Sequence, residues 1–238
     1  MILKTIATGS SGNCHALITD TGEILLLDLG ENEKKIKKGI GWRISDVVGA
    51  IVTHKHADHS KSVNDFERMG IPVFKPYENA SDIGLKNISG FKVQSFDLTT
   101  IDGRWTHTDA DGMECPCYGF LIEHKEMGRM IYITDTAVVK WRFKNINHIL
   151  LGVNYDKDMI YPDSEGKKNH IFGGHMEIET ACEFVKANNS DGLHNVIMCH
   201  LSADNADSDK FIERMKKACT AANVYVAERN DGWWLRNG

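Results

Sequence analysis

Four residues able to hold a metal or move a proton stand within six positions, in the run His54-Lys55-His56-Ala57-Asp58-His59. The apolar stretch Val47 to Thr53 before it reads as a strand. On extended backbone, His54 and His56 lie two apart and point their imidazoles to one side. Asp58 and His59 follow where a helix is predicted to begin, so the chain turns and a carboxylate and a third imidazole face a second, neighbouring position. Each residue alone has an ordinary explanation, and Asp58 in particular could be a helix N-cap. With 11 histidines in 238 residues, the joint pattern would arise by chance in about two such chains per thousand, which favours a metal site.

HxHxDH after an apolar strand resembles the signature of the metallo-β-lactamase superfamily. That resemblance implies three further ligands: an isolated histidine, a bridging aspartate and a final histidine. Asp135, in Ile131-Tyr132-Ile133-Thr134-Asp135-Thr136, resembles the bridging aspartate, and His200, in Met198-Cys199-His200-Leu201-Ser202, resembles the last histidine. Both follow apolar strands. Cys199 should face away from His200, so it reads as core and not as ligand. His107 and His124 both lie in the interval for the isolated histidine. The strands Cys117 to Glu123 and Met130 to Thr134 form a predicted hairpin turning near Lys125 to Gly128, which puts His124 at the end remote from Asp135 and favours His107. The implied metal set is His54, His56, Asp58, His59, His107, Asp135 and His200, holding two divalent transition-metal ions, zinc or manganese. His59 with Asp135 resembles phosphodiesterases, glyoxalase-type thioesterases and lactonases, and argues against a β-lactamase.

Within the superfamily, Thr8-Gly9-Ser10-Ser11-Gly12-Asn13-Cys14 and Leu26-Leu27-Asp28-Leu29-Gly30 resemble the YycJ-like exonuclease and phosphodiesterase branch. Gly152-Val153-Asn154-Tyr155-Asp156, Gly174-His175-Met176 and His200-Leu201-Ser202 with Asn205 resemble it too. The resemblance implies hydrolysis of nucleotide phosphodiesters, with a small cyclic nucleotide or a single-stranded nucleic-acid end as substrate. Two metals suit that bond because they neutralise the phosphate and stabilise the leaving oxygen. Asp58 or Asp135 would hold the proton of the attacking water. His175, before a predicted helix Met176 to Asn188, would orient a phosphoryl oxygen or protonate the leaving group; otherwise it is a cap or a surface residue. Asp28 reads as a support for the metal loops. Gly9 to Asn13 is a tight turn or a phosphate-approach loop. Trp141-Arg142-Phe143-Lys144 could stack a base and pair a phosphate, or could be packing. The long polar stretch Tyr161 to Gly174 could cover the site, as could a partner subunit in a homodimer. Two other functions compete: a thioesterase or lactonase with the same metals, and a non-catalytic, metal-stabilised binding module.

The elements that must position these residues read as α/β. Ile2 to Thr8, Asn13 to Thr19 and Glu23 to Asp28 form three short antiparallel strands, with Asp20-Thr21-Gly22 as a hairpin turn. A short helix Asn32 to Ile40, the strand Val47 to Thr53 and a helix Asp58 to Met69 follow. Strands at Phe91 to Phe96, His148 to Val153, Asn195 to Cys199 and Val224 to Ala227 join the predicted hairpin, and two late helices carry Ile178, Ala181, Cys182 and Val185, then Phe211, Met215 and Ala218. Strands in both halves with helices outside predict a single αββα four-layer sandwich domain over residues 1–238. The composition, 42% hydrophobic and 26% charged, is that of a globular protein. No apolar run is long enough for a membrane span, and no secretory leader is evident, so the expected location is the cytoplasm and the six cysteines are expected reduced. Cys115-Pro116-Cys117 lacks the spacing of a zinc knuckle. A net charge of -5 argues against a broad basic footprint for duplex nucleic acid and favours the small cyclic nucleotide slightly over a nucleic-acid end. The run Lys34-Lys35-Ile36-Lys37-Lys38 reads first as the solvated face of a helix.

Overall fold

The computed structural model describes residues 1–101, 104–105, 107, 113, 115–160 and 174–236. In chain order these give β1 (Ile2–Ala7), β2 (Cys14–Ile18), β3 (Ile24–Leu27), α1 (Glu33–Gly39), β4 (Val47–Ile51), α2 (Ala57–Ser60), α3 (Val63–Arg68), β5 (Val73–Phe74), β6 (Leu85–Ile88) and β7 (Phe91–Asp97). There follow β8 (Thr100–Ile101), β9 (Arg104–Trp105), β10 (Tyr118–His124), β11 (Gly128–Ile133), β12 (His148–Gly152), α4 (Ile178–Asn188), β13 (Asn195–Cys199), α5 (Ser208–Ala218), β14 (Asn223–Val226) and β15 (Gly232–Trp234).

Two mixed sheets result, ordered β15-β1-β2-β3-β4-β5 and β14-β13-β12-β11-β10-β7-β6. The first three strands are antiparallel, and the β2–β3 turn closes through Gly22 at φ 98°, which a residue with a Cβ rarely adopts. In the second sheet β11, β12, β13 and β14 run parallel, so their carboxyl ends share one edge. Strands β12 and β13 are buried along their whole length, as apolar runs covered on both faces must be.

Side-chain alternation separates three apolar clusters. Leu3, Leu17, Leu25 and Ile51 of the first sheet meet Phe120, Tyr132, Leu150 and Ile197 of the second in the central core. Ile131, Ile149, Val196 and Met198 face the other way, onto Ile178, Val185, Phe211 and Met215 of α4 and α5. Ala16, Leu26 and Val52 pack on Ile36 of α1 and Phe66 of α3. Helix, sheet, sheet and helix thus form the predicted αββα sandwich.

Several elements depart from the sequence reading. The helix expected over Asp58 to Met69 is two helices, because the Ser62 amide donates to Leu29 O at 2.9 Å and its hydroxyl to Glu31 O at 2.6 Å, pulling the chain out of helical register. Short strands β5, β6, β8, β9 and β15 carried too little apolar periodicity to be read. The predicted helix from Met176 begins at Ile178. The stretch 161–173, read as a cover, lies outside the described residues. Among the described residues no helix is long and apolar enough to cross a membrane.

Candidate metal centre

Most of the cluster residues sit just past the end of a strand. His54 and His56 follow β4, Asp135 follows β11 and His200 follows β13. Asp28, Asp135 and His200 all take left-handed backbone, with φ of 58°, 48° and 56°. That conformation is uncommon for residues with a Cβ, and here it turns each side chain off its strand towards one point. α2 brings Asp58 and His59 to the same place. Its approach requires Gly30, where a Cβ would lie 1.6 Å from the Asp58 carbonyl oxygen.

The side chains converge in two groups able to hold a cation, His54–His56–His107 and Asp58–His59–Asp135–His200, each with ligand atoms within 4.8 Å of one another. Asp135 touches both: its Oδ2 lies 2.8 Å from His59 Nε2 and 3.5 Å from His54 Nε2, and its Oδ1 lies 3.4 Å from His200 Nε2. His107 Nε2 is 2.8 Å from His56 Nδ1. His124 sits at the β10–β11 turn, against Phe91 and opposite Gly128. All seven residues of the implied set are therefore brought together.

A second ring of contacts fixes how the imidazoles are presented. Asp28 accepts from His59 Nδ1 at 2.7 Å, Tyr132 Oη at 2.5 Å and the Thr53 amide at 2.8 Å. The Thr53 hydroxyl also donates to Asp28, at 3.1 Å, so towards His54 Nδ1 at 3.0 Å it must accept. His54 therefore carries its hydrogen on Nδ1, and its buried Nε2 is a bare lone pair with no hydrogen-bond partner among the described residues. His107 Nδ1 donates to Gly174 O at 3.0 Å, which likewise leaves Nε2 facing the cluster. Buried, tautomer-fixed imidazole lone pairs beside two carboxylates are what a divalent cation requires. The donor set fits one.

Electrostatics without a cation show the same demand. Burial, followed by the charges of His59 and His107, holds His54 well below its usual range. Burial likewise takes His107 down to about 3. His59 goes the other way: burial opposes its charge, but Asp135 and Asp28 outweigh it and hold its pKa well above normal. Burial opposes the Asp135 charge too, yet His200 and His59 keep its carboxyl well below the ordinary carboxylate range. Positive charge is favoured at one focus, between Asp135 and Asp58.

His175 lies at this focus, its Nε2 3.8 Å from Asp135 Oδ1 and its ring 5.8 Å from His107 and 5.6 Å from His200. The start of α4 beside it is not open to an anion. Glu177 caps α4 and its carboxylate accepts from the amides of Glu179 and Thr180, so the helix dipole is already met. Gly9 to Asn13 is a tight turn closed on itself, Gly12 N donating to Gly9 O and Gly9 N to Asn13 Oδ1. Asn13 also reaches the centre, its Nδ2 3.0 Å from His59 Nε2. The Trp141 to Lys144 segment packs against the second sheet and α4: Trp141 donates to Asp97 O, Arg142 to Ala187 O, and Phe143 meets Phe96 at 4.9 Å. The six cysteines are free thiols, and Cys199 lies in the central core as its alternation required. Asn13, Tyr132 and Asn154, which donates to His200 O at 2.9 Å, were not singled out as supports. Asn13 and Asn154 lay within segments that carried the family resemblance, the signal available for them.

The profile of the Metallo-beta-lactamase superfamily matches residues 7–111. The chain is 29% identical over 222 residues to an exodeoxyribonuclease YycJ of Bacillus anthracis, covering 85% of this chain and 83% of the relative. Among solved structures, the metallo-β-lactamase-fold protein YhfI of Bacillus subtilis superposes with a TM-score of 0.67 at 16% identity, covering 98% of each chain. The short form of human tRNase Z gives 0.62 at 14% identity, covering 99% of each. With its two-sheet sandwich and its histidine and aspartate cluster at the strand ends, this chain has the metallo-β-lactamase fold, and its first half resembles that superfamily in sequence.

Proposed function

We propose that this protein is a metal-dependent nuclease that hydrolyses nucleotide phosphodiester bonds, using His54, His56, Asp58, His59, His107, Asp135 and His200 as ligands to two divalent ions, zinc or manganese. The observation that carries the reading is the pair of adjoining donor groups with Asp135 in contact with both. The fold alone hosts several chemistries, so the bond cleaved must be argued from the site and its relatives. Similarity to the exodeoxyribonuclease YycJ across most of the chain favours a nucleic-acid end over a small cyclic nucleotide. One domain over residues 1–238 would carry the activity, since both sheets contribute to one core.

Two divalent ions in these groups would supply Lewis acidity, neutralising the phosphodiester and acidifying water. The chain's own residues then have separate tasks. Asp28 holds His59 directly and His54 through Thr53, and the Gly174 carbonyl holds His107. Neighbouring imidazoles keep both Asp135 and Asp58 ionised, and one of the two, Asp58 or Asp135, holds the proton of the attacking water. His175 protonates the leaving oxygen or holds a phosphoryl oxygen, from its position beside Asp135. In an assay, the metal-loaded protein should cleave bis-p-nitrophenyl phosphate and at least one nucleotide phosphodiester, with no comparable turnover of a thioester or lactone. Thioester or lactone cleavage without phosphodiester turnover would overturn the reading.

A further inference from the structure

The basic run on α1 is not a uniformly solvated face. Lys35 pairs with Glu31 at 3.1 Å and Lys37 pairs with Glu33, which neutralises one flank. Lys34 and Lys38 lie one turn apart, are exposed, and have no ion pair among the described residues. Four positions on from Lys38 is Trp42, 63% exposed. Trp42 and the preceding Gly41 are both left-handed, at φ 63° and 67°. For a bulky side chain that backbone is a genuine outlier, held here by the Trp42 amide donating to Lys37 O at 2.7 Å. The indole is thus presented to solvent against both a backbone cost and a hydration cost, and none of the three apolar clusters includes it.

Lys34 stands in the first turn of α1, and the segment leading into that helix is bonded to the chain just past α2. Ser62, two residues past α2, bonds Leu29 and Glu31, so the helix carrying Asp58 and His59 abuts the start of α1. Lys61 is exposed at that junction. From Lys34 to Lys38 the helix rises about 6 Å at about 1.5 Å per residue, and Trp42 follows in the left-handed turn beyond the helix end at Gly39. We infer that Lys34, Lys38 and Trp42 form a docking strip for a single-stranded polynucleotide whose end lies in the metal centre, the two ammonium groups meeting phosphates and the indole stacking a base. Cations combined with one aromatic platform give sequence-tolerant binding of single strands. The inference rests on the proposed phosphodiester chemistry and deepens it: a small cyclic nucleotide would fill the centre without reaching α1.

The test is a titration of the full chain with short, labelled phosphorothioate strands that resist cleavage, oligothymidylate in one arm and oligouridylate in the other. Lys34→Ala/Lys38→Ala should weaken binding about tenfold at low salt and reduce the salt slope by about 1.4, at about 0.7 per phosphate contact. Trp42→Ala should weaken it about fivefold or more and reduce the tryptophan quenching expected for wild type on binding. The two arms separate DNA from RNA as the source of the strand, and thermal melts check that the surface variants fold. Variants that bind as wild type, or a wild type that binds neither strand, would overturn the strip. Wild-type turnover of bis-p-nitrophenyl phosphate, measured in parallel, reports the metal centre separately. Its absence would sink the proposed chemistry while the titration still decides the strip.

Discussion

Histidines gather at both ends of the second sheet, and the two ends differ in what surrounds them. At the carboxyl ends of the parallel strands, His54, His56, His59, His107 and His200 meet Asp58 and Asp135 in groups tight enough for a cation. At the amino ends, His148 is buried with Nδ1 2.9 Å from Asn195 Nδ2, its ring 5.9 Å from His194. His124 stands nearby at the hairpin turn, lining a cleft of about 810 Å³ with Lys92, Lys125 and Arg129. Among the described residues, no carboxylate and imidazole group of metal-holding geometry lies at that cleft. Room does not make a site. Left-handed turns at strand ends and carboxylates within reach of imidazoles do, and both belong to the end where ligands bind in open α/β sheets.

The sharpest way to break this contrast is at Asp135. Asp135→Ala should lower the bound metal found by elemental analysis and reduce turnover of bis-p-nitrophenyl phosphate about 1000-fold, the scale expected when a group stabilising the transition-state charge is lost. His148→Ala, at the opposite end, should leave metal content unchanged. Full metal occupancy in Asp135→Ala would erase the distinction between the ends. A smaller effect separates the two candidates for the isolated ligand. His107→Ala should cost about 100-fold in turnover and His124→Ala no more than about threefold, with melts excluding collapse. A reversed ranking would place the site elsewhere.

The smallest effect concerns stability at the far end. Burial, and then the neighbouring His194, lowers His148 from 6.5 to about 4. Between those values the unfolded chain takes up a proton that the folded chain refuses. Stability is therefore retained above about pH 6.5 and falls as pH drops towards 4, by about 1.4 kcal/mol per unit at most. His15, held neutral by burial at about 3, contributes to the same window. Urea midpoints across this range should fall less steeply for His148→Asn than for wild type. Identical profiles would mean that His148 titrates as though exposed.

The residues that converge on the centre were largely legible because each sits next to a strong local signal. His54 to His59 follow an apolar strand, and Asp135 and His200 end runs that alternate between two buried faces. The β10–β11 hairpin alone separated His107 from His124. Contacts between distant segments were not legible. Tyr132 reads as one more apolar position of β11, and only the packing of the two sheets brings its hydroxyl to Asp28. The break between α2 and α3 has no helix breaker in Lys61-Ser62; it comes from bonds to Leu29 and Glu31 that local propensity does not encode. Glu177 caps α4, but glutamate is not among the residue types preferred at an N-cap, so the sequence alone does not mark it.

The left-handed backbone at Asp28, Asp135 and His200 bears on how such a protein drifts over generations. At all three places glycine would relieve the main-chain conformation, and at the two aspartates it would also remove a buried carboxylate. The sandwich need not suffer from losing its chemistry, and selection for a robust fold alone would pull against the cluster. Silent copies that keep the architecture and have lost one ligand are therefore the expected products of relaxed selection, each a single codon step or two away. A glycine at the position of Asp28, Asp135 or His200 in such a copy would mark a protein kept for what it binds or holds in place.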